Sequence, residues 1–507
     1  MYEHNANQLI MPDEFFLPFG GRLNPDNRWI VMASLVPWGE IESDYVKRMG
    51  DPNQGRKAYP VRFALGSLMI KEKLGLSDEE TVLAITENPY LQYFIGLHAF
   101  QEKAPFDSSS LTHFRKRFDA DFINDINERM VRAQREKESK KNSQDEPSNN
   151  DDNPPTVNGG ETGKQQEKPK DSPSHQGKLL LDATCAPSDI AYPTDVGLLN
   201  EAREKLEGII DTLHEPLKGR KRKPRTYRKK ARKQYLSLSK QRKPGAVKIR
   251  KAIKQQLGYV RRNLKHIETL VKRTGLYLLS KKQYRDLLVI QELYRQQSIM
   301  FKEKSPSIEN RIVSISQPHV RPIVRGKTNA RVEFGAKLSV SLVDGYAFLD
   351  VLSWDPYHEG KRLRDSVEKY KERYGYYPEA VLADTIYRTR ENRRYCKELG
   401  IRLSGPKLGR PSKDEQTNAI QKQIERQDAS ERNAIEGKFG EGKRTYGLGL
   451  VSACLQNTSE TAISISLLMM NIGKILRDSF FAFLFIFRVI FSFRVIFSKE
   501  NNHVYRI

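Results

Sequence analysis

Three acidic residues stand where a chain could bring them together for phosphoryl chemistry. Asp182 closes the apolar run Lys178–Asp182 (KLLLD), and Asp384 closes Val381, Leu382 and Ala383 in the stretch VLADTIYRTR. Both runs read as short buried strands, and the C-terminal end of a strand is where open α/β sheets hold ligands. Glu436 sits in Arg432–Lys443 (RNAIEGKFGEGK), which reads as a polar helix. Carboxylate oxygens are hard donors suited to Mg²⁺, which keeps several waters and takes only one or two carboxylates from a protein. Two such ions activate the attacking oxygen and stabilise the leaving one during in-line displacement at phosphorus. Taken singly, each acid has an ordinary reading. An Asp at a strand end caps a turn, and Glu436 competes with Glu431 and Glu441 on a solvated helix. Their order along the chain, on the expected element types, is what joins them. Convergent carboxylates repel one another without a cation, so the site is expected to be poorly formed when empty.

The rest of the composition says what such a site would act on. With 507 residues the chain exceeds one compact core, and two or three domains are expected. Lysine and arginine number 87 against 63 acids, a formal charge of +24 that calls for a polyanionic partner. The excess is concentrated. No acid falls between Glu215 and Glu268, while Lys218–Lys265 holds 21 lysines and arginines, Lys221, Arg222, Lys229 and Lys230 among them. A charge run is ordinarily a solvated face or a loose arm, but an uncompensated block of this size repels itself unless phosphates neutralise it. Tyr227, Tyr235 and Tyr259 are spaced through the block and are able to stack on bases or bond sugar–phosphate. Nucleic acid therefore fits better than a membrane. Cys185, Cys396 and Cys454 show no paired spacing, so free thiols in a reducing cytosol are expected rather than zinc or disulfides. The first residues lack the basic start and apolar core of a signal peptide. The uncharged run Thr461–Gly473 and the apolar run Ser479–Phe487 fall short of the ~18 residues a spanning helix requires.

The elements that must position the acids can be read from periodicity. Residues 1–136 read as helical. Val61, Ala64, Leu65, Leu68 and Met69 lie at helical spacing, and Ser77 with Glu80 forms a capping-box pattern. Trp29 and Trp38 are expected to be buried. The run Ser108–Phe118, with serine caps, sets Arg115, Lys116 and Arg117 beside an apolar face, as a DNA-reading helix or an ordinary bundle helix would. Residues 137–177 carry almost no large apolar side chain and read as a disordered linker. After the Asp182 run come a helix around Val196–Leu213 and a basic helical insertion at about 214–310. Phe334–Val343 and Tyr346–Ser353 flank Asp344-Gly345, a strong hairpin signal. A helix at Gly360–Tyr374, the Asp384 strand, a helix at Asn392–Leu399 and a strand near Ile401–Leu403 follow. This is the order of an α/β, RNase H-like mixed sheet interrupted by an insertion, preceded by an all-α region. The run SISLLMMNIGKIL is expected to be an amphipathic helix on that sheet. Residues 479–507 form an apolar tail with a tandem FRVIFS copy at 487–498, for which no role is assigned.

The segments GKLLLDAT, RVEFGAKLSVS, AVLADTIYRTRENR and ERNAIEGKFGEGKRTYGLG together resemble bacterial insertion-sequence transposases of the DDE type, the insertion-sequence-five family most closely. The most specific element is Arg-x3-Glu-x6-Lys, here Arg432, Glu436 and Lys443; where the family often has a tyrosine three residues before the arginine, this chain has Ala429. The resemblance implies an RNase H-like catalytic domain over 178–478. Asp182, Asp384 and Glu436 would hold two Mg²⁺ ions, with Mn²⁺ able to substitute. It implies binding of terminal inverted repeats, cleavage and strand transfer into target DNA, a homodimer in the DNA complex, and a place at the bacterial nucleoid in the cytoplasm. Arg432 and Lys443 would contact phosphates near the scissile bond, with Arg388, Arg390 and Lys337 as further candidates. A DNA-binding protein without catalysis and a nuclease of the same fold without joining activity are the competing readings. Removing Lys218–Lys265 is expected to weaken DNA binding and flatten its salt dependence, because each phosphate contact adds to the slope. An unchanged slope in a salt titration would place those charges in solvent.

Overall fold

The structure, a computed structural model, describes residues 11–18, 20–48, 58–144, 175–324, 332–406, 409 and 414–501, with side chains outside 139–144 and 480–501. The first part is all helical. It comprises α1 (Arg28–Leu35), α2 (Trp38–Arg48), α3 (Val61–Leu74), α4 (Asp78–Glu87), α5 (Pro89–Phe94), α6 (Ser109–Arg117) and α7 (Ala120–Gln144). The capping box at α4 forms as the sequence pattern implies. The Ser77 hydroxyl accepts from Glu80 N at 3.1 Å, and the Glu80 carboxylate accepts from Ser77 N at 2.8 Å. At α6 it is Asp107, not a serine, that takes the first free amide, from Ser109 at 2.9 Å. Trp29 and Trp38 are buried. Helix α7 runs on through Gln144, into the stretch read as linker, whose residues 145–174 lie outside the described ones.

The sheet is mixed. Its strands are β1 (Lys178–Pro187), β2 (Arg321–Val324), β3 (Val332–Val343), β4 (Tyr346–Ser353), β5 (Ala380–Ala383) and β6 (Arg402–Leu403). β1 lies antiparallel to β3 on one side and parallel to β5 on the other; β6 extends the parallel edge, and β2 and β4 both pair with β3. The β3–β4 hairpin turns at Asp344 and Gly345, whose φ values of 50° and 79° suit the right-handed twist of the flanking strands. An all-α region followed by such a sheet with helical insertions is consistent with an RNase H-like fold.

Between β1 and β3 stand α8 (Asp195–His214), α9 (Arg228–Ser239), α10 (Ala246–Thr274) and α11 (Lys281–Glu303). Leu199, Leu206 and Ile210 of α8 share a core with Val260 and Ile267 of α10 and Ile290 and Leu293 of α11, separate from the core under the sheet. The insertion therefore begins one helix earlier than 214. Its basic block is ordered, because α9 and α10 bury apolar side chains against α8 and α11.

After β4 come a turn at Glu359–Arg362, α12 (Leu363–Tyr374), α13 (Arg390–Glu398), α14 (Glu415–Thr445) and α15 (Gln456–Asn501). The sequence pattern implies one apolar face on the SISLLMMNIGKIL segment. Instead Thr461–Gly473 is buried all round, between β4 on one side and α3 and α7 on the other. A helix without charged residues has no polar face to turn outward, so both sides must be covered. Three of its polar side chains are satisfied internally, while the buried Ser464 hydroxyl has no partner among the described residues. Thr461 donates to Phe118 O at 2.8 Å, Ser466 to Ala462 O at 2.9 Å, and Asn471 donates to Asn127 Oδ1 and Ala347 O, each at 2.8 Å. The FRVIFS copies fall in the C-terminal part of α15, whose side chains lie outside the described ones. Among the described residues no helix is long and apolar enough to cross a membrane.

A buried ion cluster fastens α7 and α12 to the hairpin. Arg373 meets Glu128 at 2.7 Å and Asp350 at 3.1 Å, and the Asp350 side chain is 0% exposed. Arg373→Ala leaves that carboxylate enclosed without its cation and is expected to cost about 3–5 kcal/mol. Urea unfolding checks this; a loss below about 1 kcal/mol would mean that water reaches Asp350.

Candidate active site

Parallel pairing of β1 with β5 sets Leu180 beside Leu382 and Leu181 beside Ala383, so the next residues, Asp182 and Asp384, are neighbours where that pairing ends. Asp384 does close its strand, but Asp182 does not: β1 runs on to Pro187, with Asp182 opposite Val340, because β3 continues to pair with it. Asp182 is partly buried, and its Oδ1 accepts from Ala183 N at 2.8 Å. Asp384 is exposed where β5 ends; it accepts from Thr385 N at 2.7 Å and starts a single turn, Thr385–Tyr387. Burial, then the negative charges of Glu359 and Asp384, push the Asp182 carboxyl up to about 6, while its backbone hydrogen bond and nearby Arg432 pull the other way. The neutral form is favoured there more than in water because the carboxylate is enclosed and negative charge is crowded, the condition a cation would relieve.

Helix α14, which carries the third acid, packs on the same two strands. Lys178 grips Glu431 at 2.8 Å, and Arg402 of β6 pairs with Asp428. The competitor Glu431 is thereby occupied, as is Glu441, which meets Lys438 at 3.2 Å and Arg477 at 2.6 Å. Glu436 is 58% exposed, 3.7 Å from Arg432. Arg432 thus neighbours both Asp182 and Glu436. Among the described residues no group of three His, Cys, Asp or Glu side chains is close enough to hold a metal ion, so Glu436 does not join the two aspartates in this conformation. The two aspartates alone match the one or two carboxylates that Mg²⁺ takes.

Glu359 is the neighbour that sequence reasoning passed over. It precedes Gly360, where a Cβ would come within 2.5 Å of Ile386 O, so the missing side chain lets the Glu359 turn close onto the Asp384 turn. Asn392 ties the two by donating to Gly360 O at 2.6 Å and Tyr387 O at 2.8 Å. An acid–glycine pair just before a helix was the available signal.

The expected phosphate-binding cations divide into two groups. Lys337 is not free: it meets Glu359 at 2.9 Å and donates to Tyr357 O at 2.8 Å. Arg115 is held by both oxygens of Asp78, at 3.0 and 2.6 Å, with Lys71 on the same carboxylate. Arg388 turns inward to donate to Pro406 O, and burial depresses its pKa. The Arg117 guanidinium lies over the Phe114 ring at 5.4 Å. By contrast Arg390, Lys116, Lys221, Arg222, Lys229 and Lys230 are exposed. Lys443 and Arg444 line a cleft of about 860 Å³ between α3–α4 and the end of α14, away from the aspartates. Tyr259 is buried and donates to Gln234 at 2.9 Å rather than facing solvent, whereas Tyr227 is exposed between Arg225 and Arg262.

Residues 381–473 match a family model described as Transposase DDE domain, and residues 18–117 match one described as Transposase domain (DUF772). The uncharacterized protein ORF8 in the nfe locus of Rhizobium meliloti is 27% identical over 184 residues, covering 36% of this chain and 73% of that one. No solved structure matches.

The raised Asp182 pKa has a consequence for stability. The folded protein favours the protonated form, so ionised Asp182 destabilises the fold above about pH 6, and this cost fades as the pH falls towards the unfolded value near 4. Asp182→Asn is expected to stabilise the metal-free protein by about 1–2 kcal/mol at pH 8, allowing for partial solvent screening. Melting in chelator at both ends of that window decides it, since an equal gain at pH 4 would exclude charge as the cause. Two stretches of the chain, one before the helical insertion and one after it, thus resemble transposase domains.

Proposed function

We propose that the chain is a DDE transposase of the insertion-sequence-five type that cuts and joins DNA at Asp182, Asp384 and Glu436. The observation that carries this is the parallel register that makes Asp182 and Asp384 neighbours where the β1–β5 pairing ends, with the helix of Arg432 and Glu436 packed on the same two strands. The likeness to two transposase domains supports it. The two aspartates would hold Mg²⁺, or Mn²⁺ in its place, with Glu436 completing a two-ion site. The ions would supply Lewis acidity to both the attacking and the leaving oxygen.

The chain's own residues do the rest. Asp182 serves as a ligand in its ionised form, the major one above about pH 6. Arg432, 3.7 Å from Glu436 and near enough to lower the Asp182 pKa, supplies positive charge there; released from Glu436, it can face a phosphate oxygen. The Lys337–Glu359 pair holds the turn that abuts the Asp384 loop and acts on position rather than on DNA. Water attacks the phosphodiester at a transposon end, breaking its P–O3′ bond to free the transposon 3′ hydroxyl and leave a 5′ phosphate on the flanking strand. That hydroxyl then attacks a target phosphodiester at the same carboxylates, displacing the target strand's 3′ hydroxyl. The substrate DNA comprises terminal inverted repeats and a target, held by a homodimer at the bacterial nucleoid in the cytoplasm. No enzyme-bound intermediate is required.

A strand-transfer assay with a pre-cut end tests this. Wild-type protein gives joined product with Mg²⁺, and Asp384→Ala lowers it more than about 100-fold, beyond the usual effect of outer-shell changes. Cleavage without joining would leave a nuclease, and binding with neither would leave a DNA-binding protein. Intact joining by Asp384→Ala would remove the site.

A further inference from the structure

We infer that the outward face of α9 is a phosphate-tracking surface for one strand of duplex DNA, separate from the carboxylate site. The inference rests on the DNA-processing reading above and adds which cations of the basic block meet DNA and which hold the insertion together. The structure divides them. Lys223 and Arg228 are spent internally on Asp211 of α8, and Arg228 also donates to Glu207 O at 2.8 Å. Arg225 and Arg262 flank Tyr227, each 4.7 Å from its ring, and Arg250 lies 4.2 Å from the ring of Phe301. These charges are structural.

Lys229, Arg232, Lys233 and Lys240 are different. With Leu236 and Ser237 they line one shallow groove of about 470 Å³ along a single side of α9. The spacing of three and four residues is that of one helix face. All four cations are exposed, and among the described residues none has an acidic partner. The opposite side of α9 is anchored. Ala231 and Leu238 are buried, Leu238 against Val196 and Ala252, and Tyr259 of α10 bonds Gln234 at 2.9 Å. The face is therefore held rigidly while its charges stay unanswered.

Local energetics run against this arrangement in the free protein. Lys229 and Lys230 occupy the first turn of α9, where the helix dipole already presents positive charge, and no acid lies in that turn. Choices that conflict with local stability mark places where a ligand supplies what is missing. From Lys229 to Lys240 the helix covers about 16 Å, which spans about five phosphates of one strand at about 3.4 Å each. A row of cations on a straight, fixed helix matches a row of anions at regular spacing. Acidic protein surfaces offer no such regular row.

The deletion of Lys218–Lys265 cannot test this, because it removes Leu257 and Val260 from the insertion's core. The suitable variant is Lys229→Gln, Arg232→Gln, Lys233→Gln and Lys240→Gln together. Its control carries Lys47→Gln, Lys272→Gln, Arg295→Gln and Arg394→Gln, which removes equal charge from exposed cations already paired within their helices. Binding of a generic duplex oligonucleotide is measured in chelator across a range of salt concentrations. The α9 variant is expected to lower the slope of log K against log salt by about 3–4, at about 0.9 for each phosphate no longer neutralised, with the control changing it by less than about 1. An unchanged slope in the α9 variant, or an equal fall in both, overturns the proposal. No metal or cleavage enters the measurement, so its failure is distinct from failure of the strand-transfer assay.

Discussion

Burial of residues 461–473 of α15 on every side is the constraint from which the other arrangements follow. Ile463, Ile465, Leu467, Leu468, Met469, Met470 and Ile472 are each no more than 1% exposed. Full burial of a side chain of this kind is worth about 1.5–3 kcal/mol, and no single layer can bury all of them. The helical region therefore covers one side and the sheet the other, giving one continuous core. The same helix positions α14. A Cβ at Gly442 would meet Met470 at 2.9 Å, and one at Gly473 would meet the Tyr446 hydroxyl at 2.1 Å. Glycine at these two places lets α14 and the chain beyond it settle against α15. From there α14 reaches β1 and β5, and Arg432 comes to stand near Asp182.

Charge is handled in two ways in this molecule. In and around the sheet, cations and acids meet within the fold: Arg373 with Asp350, Lys337 with Glu359, Lys178 with Glu431. Each such pair fixes an orientation more than it adds stability. The aspartate pair is the exception, where burial and like charge raise the pKa of Asp182. The insertion is the converse, with cations left over after its acids are used. One end of the chain's electrostatics calls for a cation and the other for anions. The proposed metal-dependent reaction on a polyphosphate strand would answer both.

Much of this was legible because it is local. The Asp344-Gly345 hairpin, the Ser77–Glu80 cap, the strand ending at Asp384 and the helix of Glu436 all announce themselves within about ten residues, the range over which periodicity and turn chemistry act. The strand of Asp182 was legible too, but not its run on to Pro187, which pairing with β3 sustains. What could not be read depends on partners distant in sequence. Arg115 looks like a DNA-facing residue until Asp78, 37 positions earlier, is seen to hold it. Lys337 is taken by Glu359, and Tyr259 turns inward to Gln234. The all-round burial of residues 461–473 depends on helices more than 300 residues away, as the bond from Thr461 to Phe118 shows. Apolar runs state that a segment will be covered, not by how many neighbours.

The junction through Asn127, Asn471 and Ala347 has a bearing on how such chains could exchange parts. Here α7, α15 and β4 meet through buried amides, with Ala347 N also donating to Asn471 at 2.8 Å. A graft that swapped the amino-terminal helices for those of a cousin would cut across this knot and strip one wall from a greasy rod. Inheritance should therefore carry the front and the back of the chain as a matched set, leaving the self-sufficient helical insert as the piece free to come, go or diverge.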